Sequence, residues 1–328
     1  MNKLLKFLKT WMLPISITTG ILLYLLYRVV GFLHPAGPFL AKTISKLQPT
    51  LLFCMLFLSF SKITPKQLRF KKWHVWLLFI QAGLFIGIAL LLAALPEFQW
   101  KVVIEAAMLC LICPTATAAA VVTDRLGGEM PGLICYLVLI NLVVAIVVPI
   151  FVPLIHPAAG ISFVTASALI IAKVFPTLIC PALLAWTIQW ISPELNAKIV
   201  SYKNAAFNIW AVSLCLAILM TTRAIFNSNT PLTVLCGIAV ASLLTCIFQF
   251  WAGRKIGTIY NDKITTCQAL GQKNTVFAIW MGYTFMDPVS SVAGGFYSIW
   301  HNVYNSWQMY RKQQEELIER GETSLGRD

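Results

Sequence analysis

The chain has 328 residues, of which 59% are hydrophobic and 11% charged, with a formal net charge of +13. A soluble domain carries about 25% charged residues, so a chain this apolar lacks the polar surface to cover its own core and needs lipid as part of its solvent. Its basic residues gather at the ends of apolar runs, the pattern of membrane anchoring and not of a nucleic-acid-binding face.

Apolar runs of about 20 residues cross a bilayer as helices. Ten such segments fit the chain, at roughly 11–31, 43–61, 74–95, 101–123, 131–154, 162–190, 204–224, 231–252, 264–285 and 288–310. The first follows Lys3, Lys6 and Lys9 and has no small-residue cleavage site, so it reads as a span and not as a signal peptide. Lys62, Lys66, Arg69, Lys71 and Lys72 fill the loop between the second and third spans. The sixth segment exceeds one span, and its first turns are expected in the interface. Lys198 and Lys203 follow it, Arg254, Lys255 and Lys263 follow the eighth, and Arg311 and Lys312 open the tail. An even number of spans puts all these groups on one side. Arg28, Lys42, Lys46, Lys101 and Arg223 fall on the other. The bias places both termini in the cytoplasm, for a multi-pass protein of a cell membrane, with a bacterial inner membrane expected. Trp11, Trp73, Trp76, Trp100, Trp190 and Trp251 stand near span ends as interfacial anchors.

Residues 1–310 therefore read as one membrane domain and 311–328 as a polar cytoplasmic tail. In the tail, Arg311/Glu315, Lys312/Glu316 and Glu316/Arg320 are spaced to pair along a helix that Gly321 would end. The nine cysteines are scattered through apolar stretches and read as small buried hydrophobes. Cys110 and Cys113 form a C-x-x-C pair with no second pair and no nearby histidine, so no metal site is expected.

Two spans carry costly residues. The fourth contains Cys113-Pro114-Thr115-Ala116-Thr117-Ala118-Ala119-Ala120, in which Pro114 removes a backbone donor. The ninth contains Gln268-Ala269-Leu270-Gly271-Gln272-Lys273-Asn274-Thr275, too polar for mid-membrane unless it lines a cavity or finds partners. Residues 11–154 and 162–310 also repeat weakly, Trp11-Met12-Leu13-Pro14 in the first half answering Lys173-Val174-Phe175-Pro176 in the second. Five spans per copy would invert the second. The interruptions then occupy equivalent places, the strongest sequence pointer to a transporter's site. Broken helices expose half-helix N-termini whose N–H groups attract anions.

With these residues in hand, the chain resembles the bile acid:sodium symporter family over most of its length. The resemblance rests on Leu47-Gln48-Pro49, the polar Lys62–Lys72 loop, Cys113-Pro114, Gly271-Gln272-Lys273-Asn274, and Trp300-His301-Asn302 in the tenth span. It implies an all-α fold of ten spans in two inverted repeats. It further implies crossing discontinuous fourth and ninth spans, and a panel (spans 1, 2, 6 and 7) beside a core. It also implies that the interrupted spans and the tenth-span His-Asn pair face the substrate.

The chain departs from the family at the ion site. The family's fourth-span pattern is C-P-G-G-T-A-S-N, and the positions of its sodium-binding Ser and Asn are Ala119 and Ala120 here. In the ninth-span pattern E-x-G-x-Q-N, matched on Asn274, the glutamate position is Ala269 and the glutamine position is Lys273. A one-residue slip would bring Gln268 to the glutamate position, with an oxygen but no charge. Residues 137–147 of the fifth span hold no Ser or Thr, and Gln81 matches a family glutamine near the second sodium. An ammonium placed where sodium would sit repels it by about 4 kcal/mol at 4 Å for an effective dielectric of about 20. Two-sodium coupling is therefore expected to be lost around Gln81, Ala119, Ala120, Gln268, Ala269, Gln272 and Lys273. Lys273 would act as a fixed positive charge or as a proton carrier.

The expected substrate is a small organic anion, a carboxylate or sulfate ester, held by Thr115, Thr117, Lys273, Asn274, Thr275, His301 and Asn302. The expected activity is secondary transport by alternating access. A transport-like receptor that binds a metabolite without moving it is the alternative. Membrane lipids are the other expected partner, and the sequence assigns no oligomeric state. No paired acids, H-E-x-x-H or Ser/His dyad argue for an enzyme. Glu105 reads equally as an outer-end or a cavity residue, and Lys173 as a snorkelling lysine. Asp124, Arg125, Asp262 and Lys263 read as loop charges, and Asp287 as the N-cap of the last helix with Pro288 at its first position.

Overall fold

The computed structural model describes residues 12–157, 160–202, 205–228 and 230–319. Lys3, Lys6, Lys9, Trp11, Lys203, Arg320 and Gly321 lie outside the described residues. The described chain is helical, and its only β pairing is one isolated bridge between Thr115 and Lys273.

The helices are α1 (Met12–Val29), α2 (Gly37–Phe60), α3 (Lys72–Ala94), α4 (Lys101–Ile112), α5 (Ala118–Arg125), α6 (Met130–Ile155) and α7 (Phe163–Leu178). They continue with α8 (Cys180–Ile191), α9 (Pro193–Ser201), α10 (Ala205–Asn227), α11 (Leu232–Ile259), α12 (Lys263–Gly271), α13 (Thr275–Phe285) and α14 (Val292–Glu319). Among the described residues, seven helical stretches are long and apolar enough to cross a membrane: 12–29, 31–60, 72–94, 130–155, 163–191, 205–227 and 232–259. The remaining three expected segments fall short for visible reasons. The fourth is split into α4 and α5, of 12 and 8 residues, and the ninth into α12 and α13, of 9 and 11 residues. At about 1.5 Å per residue no single half crosses a hydrocarbon core of about 30 Å. The tenth is the strongly amphipathic α14. It begins at Val292, because Asp287 caps a preceding turn instead (Val289 N–H to Asp287 Oδ1, 2.8 Å).

Large apolar side chains such as Val29, Phe32, Phe79, Trp190 and Ile259 stand exposed around the outside. On a water-soluble protein so much exposed apolar surface would be untenable. Together with the long apolar helices it makes this a multi-pass membrane protein. Inside, α1, α2 and α10 pack together and α8 joins α2, while α3 packs on α4 and α6, and α11 on α4, α12 and α14. The two groups touch through α6–α7 and α10–α13. Small residues set the closest approaches. A Cβ added to Gly253 of α11 would lie 2.5 Å from the Thr266 carbonyl oxygen of α12, and one on Gly20 of α1 would lie 2.5 Å from the Cys215 carbonyl oxygen of α10.

Candidate functional site

The site begins with two places where the chain cannot stay helical. Pro114 has no N–H to donate, and Cys113 before it turns out of the helix with φ −49° and ψ 128°. On the other side Gln272 is extended, at φ −91° and ψ 107°. The two breaks meet in the bundle and satisfy each other. Ala116 N–H donates to Gln272 O at 2.9 Å, and Asn274 N–H donates to Pro114 O at 2.8 Å.

A broken helix also strands the carbonyls of its last turn. At α4 each of these finds a side-chain donor from a distant element. Gln249 Nε2 of α11 donates to Cys110 O at 3.2 Å, Lys273 Nζ to Leu111 O at 3.4 Å, and Gln81 Nε2 of α3 to Ile112 O and Cys113 O at 3.1 and 2.9 Å. Gln81 is held in turn by the Tyr136 hydroxyl at 2.8 Å. The end of α12 is treated alike. Thr115 Oγ1 donates to Ala269 O at 2.5 Å and Tyr297 OH to Gly271 O at 2.8 Å. Lys273 is only 1% exposed. Its Nζ sits against the C-terminal, negative end of half-helix α4, a place that favours positive charge.

Beside the breaks lies a cavity of about 770 Å³. One wall comes from α2 and α10 and is apolar, with Met55, Phe207 and Trp210; Ile134 and Leu137 of α6 continue it opposite. The polar end gathers Thr117, Gln272, Asn274, Thr275, His301, Asn302 and Asn305. The cavity reaches the segment after α2 at Lys62 and Gln67, which also carries Lys66, Arg69 and Lys71. Gln272 Oε1, His301 Nδ1 and Asn305 Nδ2 are buried and make no hydrogen bond among the described residues. Buried polar atoms without partners are costly, and these three belong to side chains that line one cavity.

The expected site residues fall into two sets. Thr117, Asn274, Thr275, His301 and Asn302 line the cavity, as do Gln272 and Ala120. Thr115, Gln81, Ala119, Gln268 and Ala269 do not: they are fully or almost fully buried. Thr115 holds the break, and Gln268 Nε2 donates to Asn305 Oδ1 at 3.1 Å and Gln308 Oε1 at 2.6 Å. Lys273 contributes to the lining, and its amine donates to Leu111 O at 3.4 Å. The two half-helix N-termini also differ. Asn274 caps α13 through its side chain (Phe277 N–H to Oδ1, 3.3 Å), whereas Thr117 makes no side-chain cap on α5. Glu105 is buried away from the cavity and meets His156 at 3.1 Å, and Lys173 lies over the Phe285 ring at 5.6 Å. Asp262 accepts the Trp73 indole N–H at 3.1 Å.

Gln249, Tyr297, Asn305 and Lys62 are site residues that sequence reasoning passed over. Asn305 had a signal, because it stands one helical turn beyond His301 on the same face. Tyr297 had the same signal, one turn before His301 on that helix, whereas Gln249 sits in a helix that nothing else singled out and had none. Comparison with protein-family models and with curated proteins finds no match to this chain.

Proposed function

We propose that this protein is a secondary transporter of the bile acid:sodium symporter type, carrying a small organic anion by alternating access without the usual two-sodium coupling. The observation that carries the reading is the antiparallel meeting of two interrupted helices beside a cavity that reaches one side of the bundle. Such paired interruptions at mid-bundle are how carriers build a site. The reading counts α4–α5 and α12–α13 as the fourth and ninth of ten spans, in two inverted five-span repeats with both termini cytoplasmic. It takes α1, α2, α7–α8 and α10 as the panel.

The uncapped N-terminus of α5 and Lys62 at the mouth favour a negative ligand group, while the apolar wall favours an organic body. His301, Gln272 and Asn305 supply the unpaired polar atoms that would orient it. The donor set does not suit sodium. The carbonyls of the last turn of α4 already accept from Gln249, Lys273 and Gln81, and Ala119, Ala120 and Ala269 bring no side-chain oxygen. Lys273 would act at this end of α4 as a fixed positive charge or as a proton carrier, in place of a bound cation.

Purified protein in liposomes tests this directly. Labelled organic anions should accumulate in exchange for internal unlabelled anion, at equal rates with and without a sodium gradient. Steep dependence on sodium would refute the uncoupled mechanism. Saturable binding without flux would make the protein a receptor.

A further inference from the structure

On the loop side, apart from the cavity above, lies a second concavity of about 1040 Å³. It is enclosed by the start of α3, the turn between α5 and α6, the end of α11 and the first turn of α12. Four basic and two acidic side chains line it. Both acids are engaged: Glu129 meets Lys71 at 3.2 Å and Arg69 at 3.8 Å, and Asp262 accepts the Trp73 indole. Lys72, Arg254 and Lys263 have no carboxylate within 4.0 Å among the described residues. Three cations without counter-ions in one concavity call for an anion.

The surroundings say which kind. Lys72, Trp76 and Phe79 recur at helical spacing along α3, and Ile247, Trp251 and Arg254 do so along α11. The four apolar members of these stripes are exposed, and each stripe ends in a basic residue of the concavity. Trp76 Nε1 also donates to Tyr260 OH on the rim at 2.8 Å. An anion seated in the concavity has apolar, exposed stripes leading directly from its charge site, which suits the headgroup and acyl chains of a lipid.

We propose that this concavity binds the phosphate of an anionic phospholipid, with its acyl chains lying along the exposed stripes of α3 and α11. The proposal rests on the helices lying in a bilayer, and not on what the central cavity carries. Basic pockets between helices at a membrane surface bind anionic headgroups in this way.

Native mass spectrometry and thermal unfolding of the detergent-purified protein test it, with phosphatidylglycerol, phosphatidylcholine and soluble glycerol 3-phosphate as probes. Phosphatidylglycerol should be retained and should raise the unfolding temperature, while the other two should not. The combined change Lys72→Gln, Arg254→Gln and Lys263→Gln should weaken phosphatidylglycerol roughly 100-fold. The control Lys66→Gln, Arg125→Gln and Lys198→Gln, with the same loss of charge outside the concavity, should not. Equal retention of phosphatidylcholine overturns the proposal, as does an equal loss in the control. Stabilisation by glycerol 3-phosphate alone overturns it in favour of a soluble phosphate ligand. If the triple variant fails to fold, the comparison of the two lipids on the unaltered protein decides.

Discussion

Lys273 is an amine buried where charges are expensive, and its one hydrogen bond is to Leu111 O. Replacing it by methionine should leave that carbonyl unpartnered at a cost of about 1–3 kcal/mol, read as a lower unfolding temperature in detergent. Sodium should not restore the loss, because the neighbouring alanines offer no oxygen; restoration by sodium would show that a cation site remains. Gln81 is the more consequential residue for stability. It donates to two carbonyls and accepts from Tyr136, so Gln81→Leu strands three buried groups. A loss on the order of 3 kcal/mol is expected, larger than for Lys273→Met, and the same unfolding assay ranks the two. In the cavity, His301→Ala removes a lining side chain whose Nδ1 has no partner among the described residues, and it should weaken anion binding about tenfold with little change in unfolding temperature. Asn305→Ala also removes the acceptor of Gln268 Nε2, so it should lower the unfolding temperature as well.

At the scale of elements, the short helix α12 is held by close approach to α11. Gly253 makes this possible, since any Cβ there would run into the backbone of Thr266 and Cys267. Gly253→Ala should therefore cost at least about 1–3 kcal/mol by overpacking and disturb the break at the far end of α12. Gly83→Ala on α3 meets nothing within 4 Å; it should be neutral or slightly stabilising, because alanine is the better helix former. Equal unfolding temperatures for the two variants would mean that the α11–α12 contact is looser than described.

At the scale of the molecule, the central cavity reaches the side that carries Lys62 and Gln67. In a background with the exposed Cys236 changed to serine, Asn302→Cys should react with a membrane-impermeant maleimide supplied on that side and not from the other. Bound organic anion should slow the reaction. Labelling from the opposite side alone would reverse the assigned opening. A carrier would show both accessibilities as its populations shift, whereas a receptor would keep one.

Hydropathy alone located nearly every helix, because a bilayer demands long uninterrupted apolar runs and punishes anything else. The two breaks were legible for the complementary reason: Pro114 and the Gly271–Asn274 run are costly in lipid, so their presence signals compensation. What compensates them was not legible. Gln249, Tyr297 and Gln81 reach the stranded carbonyls from helices far away in the chain, and no local pattern announces a partner 139 or 26 residues off. The direction of the Lys273 amine, into the end of α4, was likewise a matter of packing. Sequence determines which segments lipid can hold and where the backbone must break, since those are costs each segment bears by itself. Tertiary structure decides which orphaned groups pair with each other and which stay open for a ligand, since that depends on what the other helices bring within 3 Å or so.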